Sequence, residues 1–208
     1  MQLQKKGPVK RKQVRNPEKT RNNLLRAGIR LFSERGYTGV AVDEIVATAG
    51  CNKRMLYHYY ENKDGLYVAV LESVFSRLER MEIEFLREES DLGKCLENLM
   101  EQYFAFLEEN PEFVHLLMWE NLNRAQFLSR HPQLLSKNPV VAELQRILKK
   151  KHQNIGAQHL IIQLYSVCFI YQSNKYTLTH TMGLDLHDPK VRRAGIRQAA
   201  RLMLEGLR

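Results

Sequence analysis

Leu24, Leu25, Gly28, Leu31 and Phe32 recur at helical spacing, with polar residues filling most of the gaps between them. A 3.6-residue turn gathers them on one side, which predicts a helix from Pro17 to Glu34 that Gly36 closes. Ile45, Val46 and Ala49 form the inner face of a short second helix, Val42 to Ala49. Gly50 and Cys51 then turn the chain, and Asn52 caps a third helix from Lys53 to about Tyr60. Asn62 caps a long fourth helix from Lys63 to about Glu89. Further helices are expected over residues 92–109, 111–123, 139–153, 157–182 and 189–207, while 124–138 follows no clear period.

Four boundaries carry the same mark: Asn16-Pro17, Asn110-Pro111, Asn138-Pro139 and Asp188-Pro189. Asn or Asp accepts from the free amides of a first turn, and proline at the first helical position gives up no hydrogen bond. With these starts, 11 glycines and no hairpin signal, the pattern predicts an all-α protein.

Composition adds a partner. Hydrophobic residues make up 44% of the 208, enough for a real core. The net charge of +9 is unevenly placed: residues 1–63 hold 14 Lys/Arg against 5 Asp/Glu, and residues 64–208 hold 18 of each. A focused positive third steers and holds phosphates, so a polyanion is its expected partner. Residues 1–15, with Lys5, Lys6, Lys10, Arg11, Lys12 and Arg15, are too polar to bury a core and read as a flexible basic arm. Cys51, Cys95 and Cys168 are widely spaced, which fits neither a disulfide framework nor a metal clip and suits a reducing cytoplasm. The longest apolar stretch, Ile161 to Tyr171, is broken by Gln163 and Ser166 and is too short to span a bilayer. No membrane partner is expected, and a cytoplasmic location is.

The stretch GCNKRMLYHYYENK, residues 50–63, sits where the short second helix hands over to the third. Two short helices joined by a tight turn form a helix-turn-helix, whose second helix enters the major groove of DNA. Leu56 and Tyr60, four apart, point inward and leave Lys53, Arg54, Met55, Tyr57, His58 and Tyr59 for the outer faces. Such side chains reach base edges or donate to phosphate oxygens. Lys63 adds its charge to the first turn of the next helix, where free amides already favour an anion.

Residues 26–71 resemble the DNA-binding region of the TetR family of bacterial regulators. The resemblance rests on Leu31-Phe32, Gly36-Tyr37, Ile45-Val46, Ala49-Gly50, Leu56-Tyr57-His58-Tyr59-Tyr60, Lys63 and Leu66. It implies base or phosphate contacts by Lys53, Arg54, Met55 and Tyr57, and phosphate contacts by His58, Tyr59 and Lys63. Val40 and Ala41 stand where the family often has Thr or Ser, so a hydroxyl cap and a phosphate contact are missing. Arg54 and Met55 replace small residues; Arg54 suits guanine and Met55 a thymine methyl. The implied organisation is a basic arm (1–15), a three-helix DNA-binding domain with the helix-turn-helix (16–63), and a helical ligand-binding and dimerisation domain (64–208).

In the family the neutral part holds a small-molecule pocket and the dimer interface. Pocket candidates on helices 92–123 and 157–182 are Tyr103, Phe106, Phe113, Met118, Trp119, Asn121, Tyr165, Cys168 and Tyr171. The same residues would serve an ordinary core. The apolar run from Ile161 and the stripe Val191, Gly195, Ala199, Leu202 and Met203 suit a four-helix interface across a two-fold axis. This half resembles, more loosely, the RutR-type subgroup.

Other chemistry finds little footing. His180, Asp185, His187 and Asp188 match no metal-ligand spacing, and no cofactor is expected. The cations around Cys51 raise the idea of a redox thiol, but its small-residue turn explains it equally. Nucleophile-elbow, P-loop, dinucleotide and zinc-protease motifs are missing, so an enzyme is not expected. Two readings stay open. One is a homodimeric, sequence-specific repressor that a small-molecule ligand releases from a palindromic operator on double-stranded DNA. The alternative is an architectural or corepressor-driven factor without inducer control.

Overall fold

The computed structural model describes residues 17–85, 92–134, 139–150 and 156–206, and every regular element among them is helical. The basic arm, the Asn16 and Asn138 caps and the expected helix ends at 86–89 and 151–153 lie outside these residues. Three helices form the head: α1 (Pro17–Arg35), α2 (Val42–Ala49) and α3 (Lys53–Tyr60). Leu24, Phe32, Ile45 and Leu56 are fully buried between them, as the apolar spacing requires. Gly50 closes α2 in the left-handed region at φ 65°, and the Cys51 amide returns to the Val46 carbonyl at 3.0 Å. Asn52 Oδ1 accepts from the Met55 amide at 3.2 Å, so the reading helix starts as expected. The missing hydroxyl at Ala41 is half replaced: Glu44 reaches back to accept from the Ala41 amide at 3.0 Å.

A long helix, α4 (Lys63–Phe85), leaves the head and enters the body. Asn62 caps it, accepting from the Gly65 amide at 2.8 Å. The body adds α5 (Leu92–Glu109), α6 (Pro111–Leu122), α7 (Gln126–Arg130), α8 (Pro139–Lys150), α9 (Ala157–Ser173), α10 (Lys175–Met182) and α11 (Pro189–Glu205). A 3-10 turn at Pro132–Leu134 follows α7. Leu66, Val70 and Leu71 from α4, Leu99 and Met100 from α5, and Leu160, Leu164 and Cys168 from α9 join head and body in one buried cluster. No described helix is long and apolar enough to cross a membrane.

Three details differ from expectation, each for a local reason. Residues 157–182 form two helices because Asn174 closes α9, its amide bonding the Ile170 carbonyl at 3.1 Å. The Ser173 hydroxyl occupies the Asn174 side chain at 2.7 Å, a local bond that competes with helical continuation. Asn110 does not cap α6 with its side chain. It donates to the Phe106 carbonyl at 2.9 Å and accepts from Arg77 at 3.2 Å, closing α5 and tethering α4 instead. Gly195 faces its own chain rather than a free surface: a Cβ there would lie 2.2 Å from the Tyr171 hydroxyl oxygen. The small residue lets α11 close on α9. Buried Arg192 staples the same region, donating to Glu108 of α5 at 2.5 Å and to the His187 carbonyl at 3.1 Å.

Candidate nucleic-acid interface and effector core

The outer face of α3 carries exposed Lys53, Arg54, Tyr57 and His58, with Tyr57 half open to solvent at 50%. Leu56 (0%) and Tyr60 (6%) anchor the opposite face, and the Tyr60 hydroxyl donates to the Arg21 carbonyl at 3.0 Å. Lys53 is held by Asp43 of α2 at 2.8 Å. An exposed pair of this kind is weak, so a phosphate can take the ammonium at little cost. Arg54 pairs with no described side chain and keeps its guanidinium free for an acceptor. Met55 and Tyr59 are half buried against the core and form the shoulder of the reading face. The His58 ring meets Tyr59 edge-on at 4.9 Å.

Lys63, in the first turn of α4, lies over the Tyr37 ring with its ammonium 4.1 Å from the centroid. Burial pulls its pKa below the ordinary lysine value. Beneath it the Tyr37 hydroxyl donates to the Asp64 carboxylate. Burial, with Asp64 adding to it, pushes the Tyr37 phenol up to about 12, so Tyr37 stays neutral and its ring stays available to the cation. Tyr37 and Asp64 thus support the reading head, a role that sequence reasoning missed. Tyr37 was visible only as part of a motif at the end of α1. At Cys51, burial pushes the thiol upward, opposite to what a reactive thiolate needs.

Tyr103 of α5 and Tyr165 of α9 stack at 3.9 Å and 16°. The Tyr165 hydroxyl donates to Glu82, a carboxylate on α4 that is only 3% exposed. Cys168 is sealed in beside them, its thiol 3.5 Å from the Met100 carbonyl, and burial pushes it up to about 12. Phe106 and Phe113 meet edge to face at 5.2 Å, with Phe75 another 5.2 Å from Phe113. Five of the nine sequence-expected pocket residues therefore fall in this one interior region: Tyr103, Phe106, Phe113, Tyr165 and Cys168. Tyr171 turns toward α11, as noted at Gly195. Met118 and Asn121 are exposed on α6, and the Asn121 amide bonds the Leu117 carbonyl at 2.8 Å.

Trp119 belongs to the joint between head and body. Its indole N–H donates to the Ser33 carbonyl of α1 at 3.2 Å. The ring covers Gly36, whose φ of 69° and whose missing Cβ, 2.8 Å from the ring if added, make glycine the residue that fits. One residue on, Glu120 is buried at 1% and accepts from the Tyr67 hydroxyl of α4 at 2.9 Å and the Leu128 amide of α7 at 3.3 Å. Phe127 of α7 lies 4.6 Å from the Tyr37 ring and 4.7 Å from Tyr67. Arg124 and Ala125, which introduce α7, both have positive φ (58° and 52°), an uncommon conformation for residues with a Cβ. Trp119, a pocket candidate in the sequence, thus has its polar partner at this joint.

Comparison with known proteins bears on both halves. Residues 24–70 match the family described as bacterial regulatory proteins, tetR family, and residues 93–202 match the Tetracyclin repressor-like, C-terminal domain. The HTH-type transcriptional repressor NicS of Pseudomonas putida is 28% identical, with all of both chains covered. The HTH-type transcriptional repressor SCO4008 of Streptomyces coelicolor is 31% identical over 52% of this chain and 53% of its own length. Among solved structures, the fatty acid degradation regulator FadR of Bacillus halodurans superposes with a TM-score of 0.69 at 18% identity, covering 99% of both chains. FadR of Bacillus subtilis in complex with stearoyl-CoA gives 0.65 at 14% identity, over 86% of this chain and 97% of its own.

Proposed function

Because the chain belongs to the TetR family of bacterial regulators, we propose that it is a homodimeric repressor that a small molecule releases from its operator. It acts by binding rather than by catalysis, and in the cytoplasm where the DNA is. The observation that carries this reading is α4 itself. One helix bears Lys63 at the reading head, Tyr67 at the joint and Glu82 in the tyrosine-lined interior. Nineteen positions separate Lys63 from Glu82, about 28 Å at the helical rise. A ligand that moves the inner end of α4 tilts the outer end, and with it the spacing of two heads in a dimer. Release is then a shift between two dimer geometries that ligand and operator prefer differently.

In this reading Arg54 and Tyr57 read base edges, with Met55 at the shoulder, while Lys53, His58, Tyr59 and Lys63 hold phosphates. Tyr103, Phe106, Phe113, Tyr165 and Cys168 line the effector site. The dimer forms through the outer faces of α9 and α11, where Ile162 (60%), Ile170 (44%) and Leu202 (63%) stand exposed. Apolar residues at these positions are costly in water and are covered when two helices meet their copies across a two-fold axis.

The test has two arms. Duplexes selected from a random pool should share a near-palindrome with half-sites about one helical turn apart, and at least one member of a metabolite collection should dissociate the complex while raising the protein's Tm. Selection of duplexes without two-fold symmetry, or operator affinity unaltered by every stabilising metabolite, would overturn the proposal. In sedimentation, wild type should be a dimer and the Ile162→Asp, Leu202→Asp double variant a folded monomer.

A further inference from the structure

We propose that the effector is a flat, positively charged nitrogen compound, and that Glu82 is the group that holds its charge. The inference rests on the ligand-released reading above and names the ligand's chemical class. It starts from an imbalance: Glu82 is 3% exposed, and among the described residues its one hydrogen-bond donor is the Tyr165 hydroxyl. No described lysine, arginine or histidine forms an ion pair with it, and the Glu79 carboxylate disfavours its charged form. The groups beside it from the packed helices are weak acids too: Tyr165 from α9 and Tyr103 from α5.

Among the described residues this interior holds one carboxylate, two neutral phenols and a neutral thiol, with no cation to pair with the carboxylate when it ionises. Buried carboxylates are ordinarily paired with a cation or neutralised. Here burial, with Glu79 adding to it, raises the Glu82 pKa while the Tyr165 hydroxyl opposes the rise. A cationic ligand supplies the missing counter-charge. The stacked pair Tyr103 and Tyr165 supplies the flat aromatic wall, whose faces attract both a ring and a cation.

A second observation points the same way. Gln172 is 8% exposed and its side-chain N–H2 group finds no partner. It lies four and seven residues along α9 from Cys168 and Tyr165, hence on the same face of that helix. A buried amide donor without an acceptor is rare in a finished core. An oxygen at the far end of the effector would satisfy it. Tyr165, the hydroxyl donor to Glu82, itself keeps partial exposure.

The test uses three matched probes on the full-length protein: naphthylmethylamine, naphthylmethanol and naphthoate. Calorimetry should find the amine bound most tightly, and Glu82→Gln should weaken it about 30-fold or more, the loss expected when a buried charged partner is neutralised. The same substitution should leave naphthylmethanol nearly unchanged. At mildly acidic pH, amine binding to wild type should release protons, seen as a dependence on buffer ionisation enthalpy that Glu82→Gln lacks. Gln keeps the acceptor for Tyr165, so the variant should fold, and its Tm reports that directly. Tightest binding by naphthoate, equal amine affinity in wild type and Glu82→Gln, or no binding by any of the three would overturn the assignment. Amine binding that depends on Glu82 yet leaves operator affinity intact would uphold the site and sink ligand release.

Discussion

Head and body solve the problem of polar groups in opposite ways. In the head, residues 17–62, the one buried polar side chain is Ser33, and its hydroxyl bonds the Arg30 carbonyl one turn back at 2.9 Å. Every described charge of the three head helices is at the surface. The body buries Glu82, Glu120, Gln172 and Arg192. A reader of DNA needs a rigid apolar frame with its cations outside, because phosphate and base contacts are made there. A sensor needs polar groups inside, because that is where a ligand must be recognised. The contrast teaches where each half is vulnerable: the head to loss of packing, the body to loss of polar balance.

Truncation of the head's core should show the largest effect. Leu56 is fully buried between α3 and its neighbours, and Leu56→Ala should cost about 2–5 kcal/mol. Chemical denaturation should find that loss together with abolished operator binding. An apolar truncation there costing under about 1 kcal/mol would mean that the head is not the tightly packed frame described.

The joint comes next. Gly36→Ala combines a left-handed backbone, about 1–2 kcal/mol, with a methyl pressed into the Trp119 ring. Trp119→Phe makes room but gives up the bond to Ser33. The two substitutions share one contact, so a double-mutant cycle should return a coupling of about 1 kcal/mol or more. Additive effects would separate head from body at this point and remove α6 from the path between them.

The distribution of apolar residues made the head helices legible almost to the residue, because each buries one face. Val42 to Ala49 and Lys53 to Tyr60 follow directly from Ile45, Ala49, Leu56 and Tyr60. The break at Asn174 was hidden, since it depends on a serine–asparagine bond that no periodicity encodes. For the candidate interior, aromatic composition pointed to Tyr103 and Tyr165 but not to Glu82. A glutamate near the end of an amphipathic helix reads as solvated surface until another helix is seen to cover it. Trp119 was expected in the pocket, whereas its indole N–H has a partner at the joint. That partner, the Ser33 carbonyl, lies 86 positions away. Contacts of that range are a property of packing, and the pattern along the chain does not carry them.

The body's polar core makes a pH prediction of smaller size. The Glu82 pKa is raised in the folded protein, so folding takes up a proton between the ordinary glutamate value and the raised one. That contribution is fully present below the ordinary value and is lost as pH rises through the folded pKa. Glu82→Gln has no such proton to lose. Its Tm should match wild type in acid and exceed it by a few degrees toward neutrality. A Tm difference independent of pH would show that Glu82 titrates as a surface acid and would erase the contrast between the two halves.

The smallest effect on stability belongs to the head's edge, where substitution separates two kinds of contact. Lys63 sits over Tyr37 at the first turn of α4, placed for a phosphate rather than a base. Lys63→Ala should weaken binding to every duplex by a similar factor and lower the slope of log affinity against log salt by about 1 per half-site. Arg54→Ala should instead lower affinity mainly for the selected operator, by about 1–3 kcal/mol at one base pair, and relax the preference there. Stability should change little in either case, because both side chains are outside the packed core. The informative outcome is the pairing of the two results. If Lys63→Ala narrows or shifts base preference while the salt slope stays at the wild-type value, Lys63 points into the groove, and the cation–ring contact with Tyr37 must break when DNA binds.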